Sequence, residues 1–316
     1  MQVNKKVILA EPRSFCAGVR RAISIVELAL ARYGAPVYVR KEIVHNRYIV
    51  RLLERRGARF VDTENDVPEG AVCVFSAHGV SPQVRQNAEV RQLDVIDATC
   101  PLVTKVHQEA RRYAKDDRTL LLVGHAGHEE VEGTFGHAPG QTVIIETVED
   151  AERLDLPADA RVAYLTQTTL SVDETRDIID VLQRRFVDLV GPGTGDICYA
   201  SQNRQDAIRA IVPRSDLVLV VGSPNSSNSV RMVELAERLG TAAYLVPDVT
   251  KFDNMWLEGV QTVGVSAGAS APEILVEELL DKLAESGYSN LEIEQVATED
   301  VVFTPPAKLT RSATAG

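Results

Sequence analysis

Thr99-Cys100-Pro101-Leu102-Val103 is the stretch that decides the fold. A cysteine closes a polar turn, and a proline suited to a first helical position opens the run that follows. The same join recurs at Phe15-Cys16-Ala17-Gly18-Val19 and Ile197-Cys198-Tyr199-Ala200-Ser201. Outward from each cysteine, a strand-like run reaches a polar turn at Val44-His45-Asn46, Gly127-His128-Glu129-Glu130 and Asn225-Ser226-Ser227-Asn228. His45, His128 and Ser226 stand 29, 28 and 28 residues beyond their cysteines. A further strand and turn contain His78, Thr168 and Gly268, at 62, 68 and 70 residues. Self-similarity with a period of about ninety residues means three copies of one supersecondary unit.

Between these turns, apolar runs such as Thr119 to Val123 and Leu217 to Val221 alternate with amphipathic patterns such as Val230 to Leu239. That alternation predicts α/β architecture with mainly parallel sheets. Three such units can close around a pseudo-threefold axis, bringing equivalent loops together. The expected domains are 17–100, 101–197, and 198–285 with 1–16 as a leading strand, followed by a C-terminal extension, 286–316. From Thr304-Pro305-Pro306 to Gly316 the composition is that of a disordered tail.

Composition bounds the function. With 316 residues the chain can bury a core without disulfide or metal staples. No window approaches the roughly 18 apolar residues of a membrane span, and Met1 to Ala10 shows no secretory pattern. A cytoplasmic protein with no membrane partner is expected. A formal charge of −11 argues against general nucleic-acid binding, while leaving room for an anionic ligand in a local pocket. Four cysteines in a reducing compartment point to metal or redox chemistry.

A single cysteine is more often a small buried hydrophobe than a ligand. Cys16, Cys100 and Cys198 at matching helix starts favour one shared iron–sulfur cluster, since thiolates are its usual ligands and helix N-termini lower thiol pKa. Three ligands would leave one iron of a four-iron cluster open to substrate. Cys73, inside Ala71-Val72-Cys73-Val74-Phe75, is expected to be a buried strand residue. His45, His78 and His128 at strand ends can hydrogen-bond phosphate oxygens, and Asn225 to Ser229 can form an anion cradle; core histidines and simple helix capping are the alternatives. Glu130 is the candidate acid and Thr168 the hydroxyl that orients a proton, although Glu129, Glu130 and Glu132 equally suit a solvated helix start. Nucleotide phosphate loops of the Gly-x-x-x-x-Gly-Lys and Gly-x-Gly-x-x-Gly types are not evident.

Together these segments, with Gln167-Thr168-Thr169-Leu170-Ser171 and Ala267-Gly268-Ala269-Ser270-Ala271-Pro272, closely resemble the IspH/LytB family of 4-hydroxy-3-methylbut-2-enyl diphosphate reductases, from about residue 7 to 284. The resemblance implies a trefoil of three α/β domains around one [4Fe–4S] cluster per chain, bound by Cys16, Cys100 and Cys198 with one iron open. It also implies diphosphate binding by His45, His78, His128, Ser226, Ser227, Asn228 and Ser270, with Thr168 and Glu130 at the reacting end. The implied reaction is reductive dehydroxylation to isopentenyl and dimethylallyl diphosphate, the last step of the non-mevalonate isoprenoid pathway. Electrons would come from a ferredoxin or flavodoxin. Glu129 stands where many relatives have proline. The rival readings are an iron–sulfur redox sensor without turnover and a zinc-dependent hydrolase using cysteine and histidine together, suggested by His125-Ala126-Gly127-His128-Glu129-Glu130.

Overall fold

The computed structural model describes residues 5–193 and 195–310. The first third of the chain runs Lys6–Glu11 (β1), Ala17–Tyr33 (α1), Val37–Arg40 (β2), Arg47–Arg55 (α2), Ala58–Val61 (β3), Val72–Phe75 (β4), Pro82–Val90 (α3) and Asp94–Asp97 (β5). Next come Pro101–Lys115 (α4), Thr119–Val123 (β6), Glu129–Phe135 (α5), Thr142–Ile145 (β7), Val148–Arg153 (α6), Arg161–Thr166 (β8), Val172–Arg185 (α7) and Asp188–Val190 (β9). The last third holds Tyr199–Ile211 (α8), Leu217–Val221 (β10), Ser227–Arg238 (α9), Ala242–Val246 (β11), Thr262–Ala267 (β12), Glu273–Glu285 (α10), Asn290–Gln295 (β13) and Ala307–Thr310 (α11).

These elements form two compact units. One comprises Gly18–Val44, Val50–Cys198 and the chain from Phe303, and contains two parallel sheets of order β3-β2-β4-β5 and β7-β6-β8-β9. The two orders are the same once the repeat is counted off. The other unit comprises residues 5–17, His45–Ile49 and Tyr199–Val302, with a parallel sheet of order β11-β10-β12-β1-β13. Here β1 occupies the place that β5 and β9 hold in their own sheets, with Lys6 to Leu9 in register against Thr262 to Val265. Three parallel sheets with repeated strand order meet the α/β expectation.

Strand β10 shows why these runs become interior strands. All five of its residues are buried, and β-branched and leucine side chains covered on both faces read as an unbroken apolar run. Leu217, Leu219 and Val221 pack with Leu275, Val276 and Leu279 of α10, whereas Val218 and Val220 pack with Ile208 of α8 and Met232 of α9. Each strand then delivers its following turn to the carboxyl edge of its sheet, where ligands bind in α/β folds.

One expectation about the C-terminal segment is corrected and another gains detail. Within the expected extension, residues 290–295 form β13, which pairs with β1 along six positions. Its strand pattern is inverted, with Leu291 and Ile293 exposed and Glu292 and Glu294 held by Arg214. The disordered tail expected from Thr304 is ordered through α11, where Leu309 is buried and Lys308 pairs with Asp94. The remainder of that expected tail, 311–316, lies outside the described residues.

Candidate active site

Each of the three cysteines sits just before a helix: Cys16 before α1, Cys100 as the N-cap of α4 with Pro101 at its start, and Cys198 before α8. Each also makes the same backbone contact. The Cys100 N–H donates to the Ala77 carbonyl at 2.9 Å, the Cys198 N–H to the Thr168 carbonyl at 3.0 Å, and the Cys16 N–H to the Ala269 carbonyl at 3.2 Å. Ala77, Thr168 and Ala269 belong to equivalent turns after β4, β8 and β12, so every cysteine is tied to the strand beside the one it follows. All three are half-buried. Cys73 differs in each respect: it lies within β4, fully buried, with its thiol pushed up to about 12 by desolvation. Three half-buried thiols at helix starts, held in one repeated backbone geometry, fit the donor set of an iron–sulfur cluster.

In the unit that carries Cys100 and Cys198, the turn after β6 leads into α5 with His128 as N-cap, its Nδ1 accepting the Glu130 N–H at 3.2 Å. Glu130 is only 2% exposed, which removes the solvated-helix reading. Its Oε1 accepts the Thr168 N–H at 2.6 Å and its Oε2 accepts the Thr168 hydroxyl at 3.0 Å. Thr168 therefore binds the acid through two donors and Cys198 through its carbonyl. His78, in the turn after β4, has Nδ1 3.1 Å from Glu129 Oε2, and its ring lies edge-on to His128 with centroids 6.0 Å apart. A carboxylate only accepts, so Glu129 keeps a proton on Nδ1 of His78. The spacing of the turns gave no signal for this pairing, because Glu129 and His78 belong to different repeats. Residues 125–129 do not form a zinc-hydrolase helix, since His125 and His128 both precede α5.

The unit that carries Cys16 holds the remaining turns. His45 lies 3.4 Å from Asn225 Nδ2 through its Nδ1, and its carbonyl accepts the Ser270 hydroxyl at 3.0 Å. Ser226, the N-cap of α9, takes the Ser229 hydroxyl at 3.1 Å and lies 3.3 Å from Ser270 Oγ. This crowding requires glycine opposite: a Cβ on Gly268 would stand 2.0 Å from Ser229 Oγ. Ser227 begins α9. Asn228 Oδ1 accepts the Ala269 N–H at 2.8 Å, while its buried Nδ2 has no partner among the described residues. A buried amide donor without a partner costs about 1–3 kcal/mol, a debt that an anion discharges.

Comparison with known proteins places these turns in context. The LytB protein family matches residues 7–284. The 4-hydroxy-3-methylbut-2-enyl diphosphate reductase of Nocardia farcinica is 56% identical over 96% of this chain and 91% of its own. The enzyme of the same name from Burkholderia pseudomallei is 54% identical over 97% of this chain and 98% of its own. Among solved structures, the E-1-hydroxy-2-methyl-but-2-enyl-4-diphosphate reductase of Plasmodium falciparum superposes with a TM-score of 0.94 at 38% identity, covering 97% of both chains. A second structure, of an (E)-4-hydroxy-3-methyl-but-2-enyl diphosphate reductase described as the terminal enzyme of the non-mevalonate pathway, gives a TM-score of 0.62 at 30% identity over 89% of this chain and 99% of its own.

Proposed function

The chain belongs to the LytB family, and on that premise we infer that it catalyses the reductive dehydroxylation of 4-hydroxy-3-methylbut-2-enyl diphosphate to isopentenyl and dimethylallyl diphosphate, the terminal step of the non-mevalonate pathway. The observation that carries this reading onto the chain's own residues is the cysteine geometry repeated at Cys16, Cys100 and Cys198, with Thr168 joining one cysteine to a buried acid. Those cysteines are the ligands we assign to one [4Fe–4S] cluster, and the domain limits we adopt follow them, at 17–100, 101–197 and 198–285 with 1–16. When bound, the cluster would pass two electrons, one at a time, from an external donor and would supply a Lewis-acidic iron for the allylic hydroxyl.

The remaining work falls to the protein. His45, Ser226, Ser227, Asn228 and Ser270 from one unit, and His78 and His128 from the other, are the groups we assign to the diphosphate. All can donate hydrogen bonds to phosphate oxygens, and the Asn228 Nδ2 donor has no partner among the described residues. Binding the diphosphate supplies energy remote from the breaking C–O bond. Hydroxide is a poor leaving group, so departure as water needs a proton, and Glu130 is the acid we assign to deliver it. Thr168 holds both carboxyl oxygens of Glu130, which fixes the direction in which that proton is presented. A ferredoxin or flavodoxin is the inferred electron donor. No described helix is long and apolar enough to cross a membrane; a cytoplasmic location is the one we infer.

The test is anaerobic turnover of 4-hydroxy-3-methylbut-2-enyl diphosphate with a chemical reductant, after iron and sulfide have been quantified. Formation of the two five-carbon diphosphates supports the assignment; a full four-iron complement without turnover overturns it in favour of a sensor.

A further inference from the structure

The three cysteine helices share a second feature, a cation placed five, five and six residues beyond Cys16, Cys100 and Cys198: Arg21, Lys105 and Arg204. Each bonds to the loop of a different cysteine from its own. Arg21 on α1 donates from Nη1 to the Ala98 and Thr99 carbonyls at 3.2 and 3.0 Å, on the two residues before Cys100. Lys105 on α4 donates to the Gly195 carbonyl at 3.4 Å and to the Asp196 carboxylate at 3.3 Å, on the residues leading into Cys198. Arg204 on α8 donates from Nη2 to the Arg13 and Ser14 carbonyls at 3.4 and 2.5 Å, on the residues leading into Cys16.

We propose that Arg21, Lys105 and Arg204 are positioning residues acting in cyclic order, each fixing the peptide that enters the next cysteine: α1 serves Cys100, α4 serves Cys198 and α8 serves Cys16. The proposal rests on the reading of those cysteines as cluster ligands. The residues just before each cysteine lie outside the strands, and such a peptide pivots unless its oxygens are held. A cationic donor suits the task because its hydrogen bonds are stronger than neutral ones. The cations are themselves braced, Lys105 by Glu109 at 3.9 Å. Arg204, fully buried, also binds the Ala200 carbonyl at 2.9 Å and Glu299 at 2.8 Å, while Arg21 Nε reaches the Thr304 carbonyl at 2.9 Å. Arg21 is near enough to Cys100 for the two to interact electrostatically. Three thiolates and an anionic cluster favour positive charge nearby, so the groups that aim the ligands also offset their charge.

A single cation bonded to a loop carbonyl is ordinary structural chemistry. Here the spacing repeats and the target shifts each time to the next cysteine, so the consequence is local and directional. The experiment is hydrogen exchange on the anaerobic, cluster-loaded enzyme, followed in peptides spanning 96–100 and 195–198. Arg21→Gln is expected to speed exchange of the Cys100 amide by ~10-fold or more, leaving the Cys198 amide at its original rate. Lys105→Met is expected to do the reverse. Arg21→Lys restores most of the protection, and Arg204→Lys replaces a harsher change at a site too buried to empty. The midpoint potential of the cluster moves to more negative values in Arg21→Gln and Lys105→Met, because a lost positive charge disfavours reduction.

Equal loosening of both loops by each variant, or unchanged exchange at both, overturns the proposal. Iron content of Cys100→Ser keeps its failure apart from that of its premise. If that variant loses the cluster while the cation variants exchange as wild type, the cyclic arrangement is wrong and the ligand assignment stands. If it retains a full cluster, the ligand assignment is wrong.

Discussion

Replacing Glu130 by glutamine separates proton delivery from everything else this carboxylate does. The side chain is buried and accepts two hydrogen bonds from one residue, the Thr168 N–H at 2.6 Å and its hydroxyl at 3.0 Å. Glutamine keeps the shape. Its carbonyl oxygen takes the Thr168 N–H, and its amide donates to a Thr168 hydroxyl that has only to rotate. The two bonds to Thr168 become those of a neutral amide, a loss of at most about 1–3 kcal/mol in all. Stability and the Cys198 contact through the Thr168 carbonyl should therefore survive. Proton transfer should not, because an amide is no acid at neutral pH. General acid catalysis contributes ~10²–10⁴-fold, so kcat should fall by that factor, equivalent to about 3–5 kcal/mol on the barrier. KM should change by less than about threefold, since the diphosphate donors are untouched. The assay is anaerobic single-substrate kinetics on preparations matched for iron and sulfide, with product analysis. A cluster-replete variant turning over within about tenfold of wild type would refute the assignment of Glu130 as the proton source.

Other perturbations test the binding groups and the scaffold. Asn228→Asp keeps the bond to the Ala269 N–H and puts an anionic oxygen where the unpartnered amide stood; KM should rise by ~10-fold or more through like-charge repulsion, seen equally in weaker competition by pyrophosphate. Removing the carboxylate that holds His78 Nδ1, with Glu129→Ala, should raise KM by ~3–10-fold at unchanged kcat, as lost orientation of a ligand-binding histidine does; imidazole ¹⁵N shifts should show the loss of the fixed tautomer. Cys73→Ala should retain wild-type iron and sulfide per chain, and a preparation with markedly less would make that thiol a ligand after all. Acid stability should depend on His107, whose imidazole is pushed down to about 3 by burial, with further lowering by His137, Arg85 and Arg111. The unfolded chain takes up this proton near pH 6.5 and the folded chain refuses it until about 3, so stability is lost as pH falls through that window. At pH 5.5 the cost relative to neutral pH is about 1 kcal/mol. Urea unfolding of wild type and His107→Gln at pH 7 and 5.5 should show wild type losing more by that amount, and parallel losses would show that His107 does not set the acid limit.

The repeat was legible because its signal is positional: a cysteine, then two polar turns, three times over. Strands β6 and β10 declared themselves as apolar runs covered on both faces. Strand β13 did not, because its partly covered face is charged, with Glu292 and Glu294 paired to Arg214 and Lys6. Those pairings join residues far apart in sequence and leave no local period to detect. The candidate site divides in the same way. Residue type and phase singled out the cysteines, Glu130, Thr168 and the turn donors. Partnership did not show. That both oxygens of Glu130 go to Thr168 depends on β6 and β8 being neighbours in one sheet, and that Glu129 faces His78 depends on the packing of two sheets within one unit. The cations five and six residues beyond the cysteines were visible as a spacing, but that spacing acquires meaning only when the next loop is seen beneath each one.

The position of β1 has a consequence for the order of assembly on the ribosome. Strand β1 lies between β12 and β13, so it emerges more than two hundred residues before either neighbour exists. Until then the Cys16 amide has no Ala269 carbonyl to bind, although the elements around Cys100 and Cys198 can already pair within their own sheets. Parallel pairings of such long sequence separation form late. On the ligand assignment proposed above, the loops of two thiols can be set in place while the third waits for β12, so cluster insertion is expected to be completed only after that strand has been made.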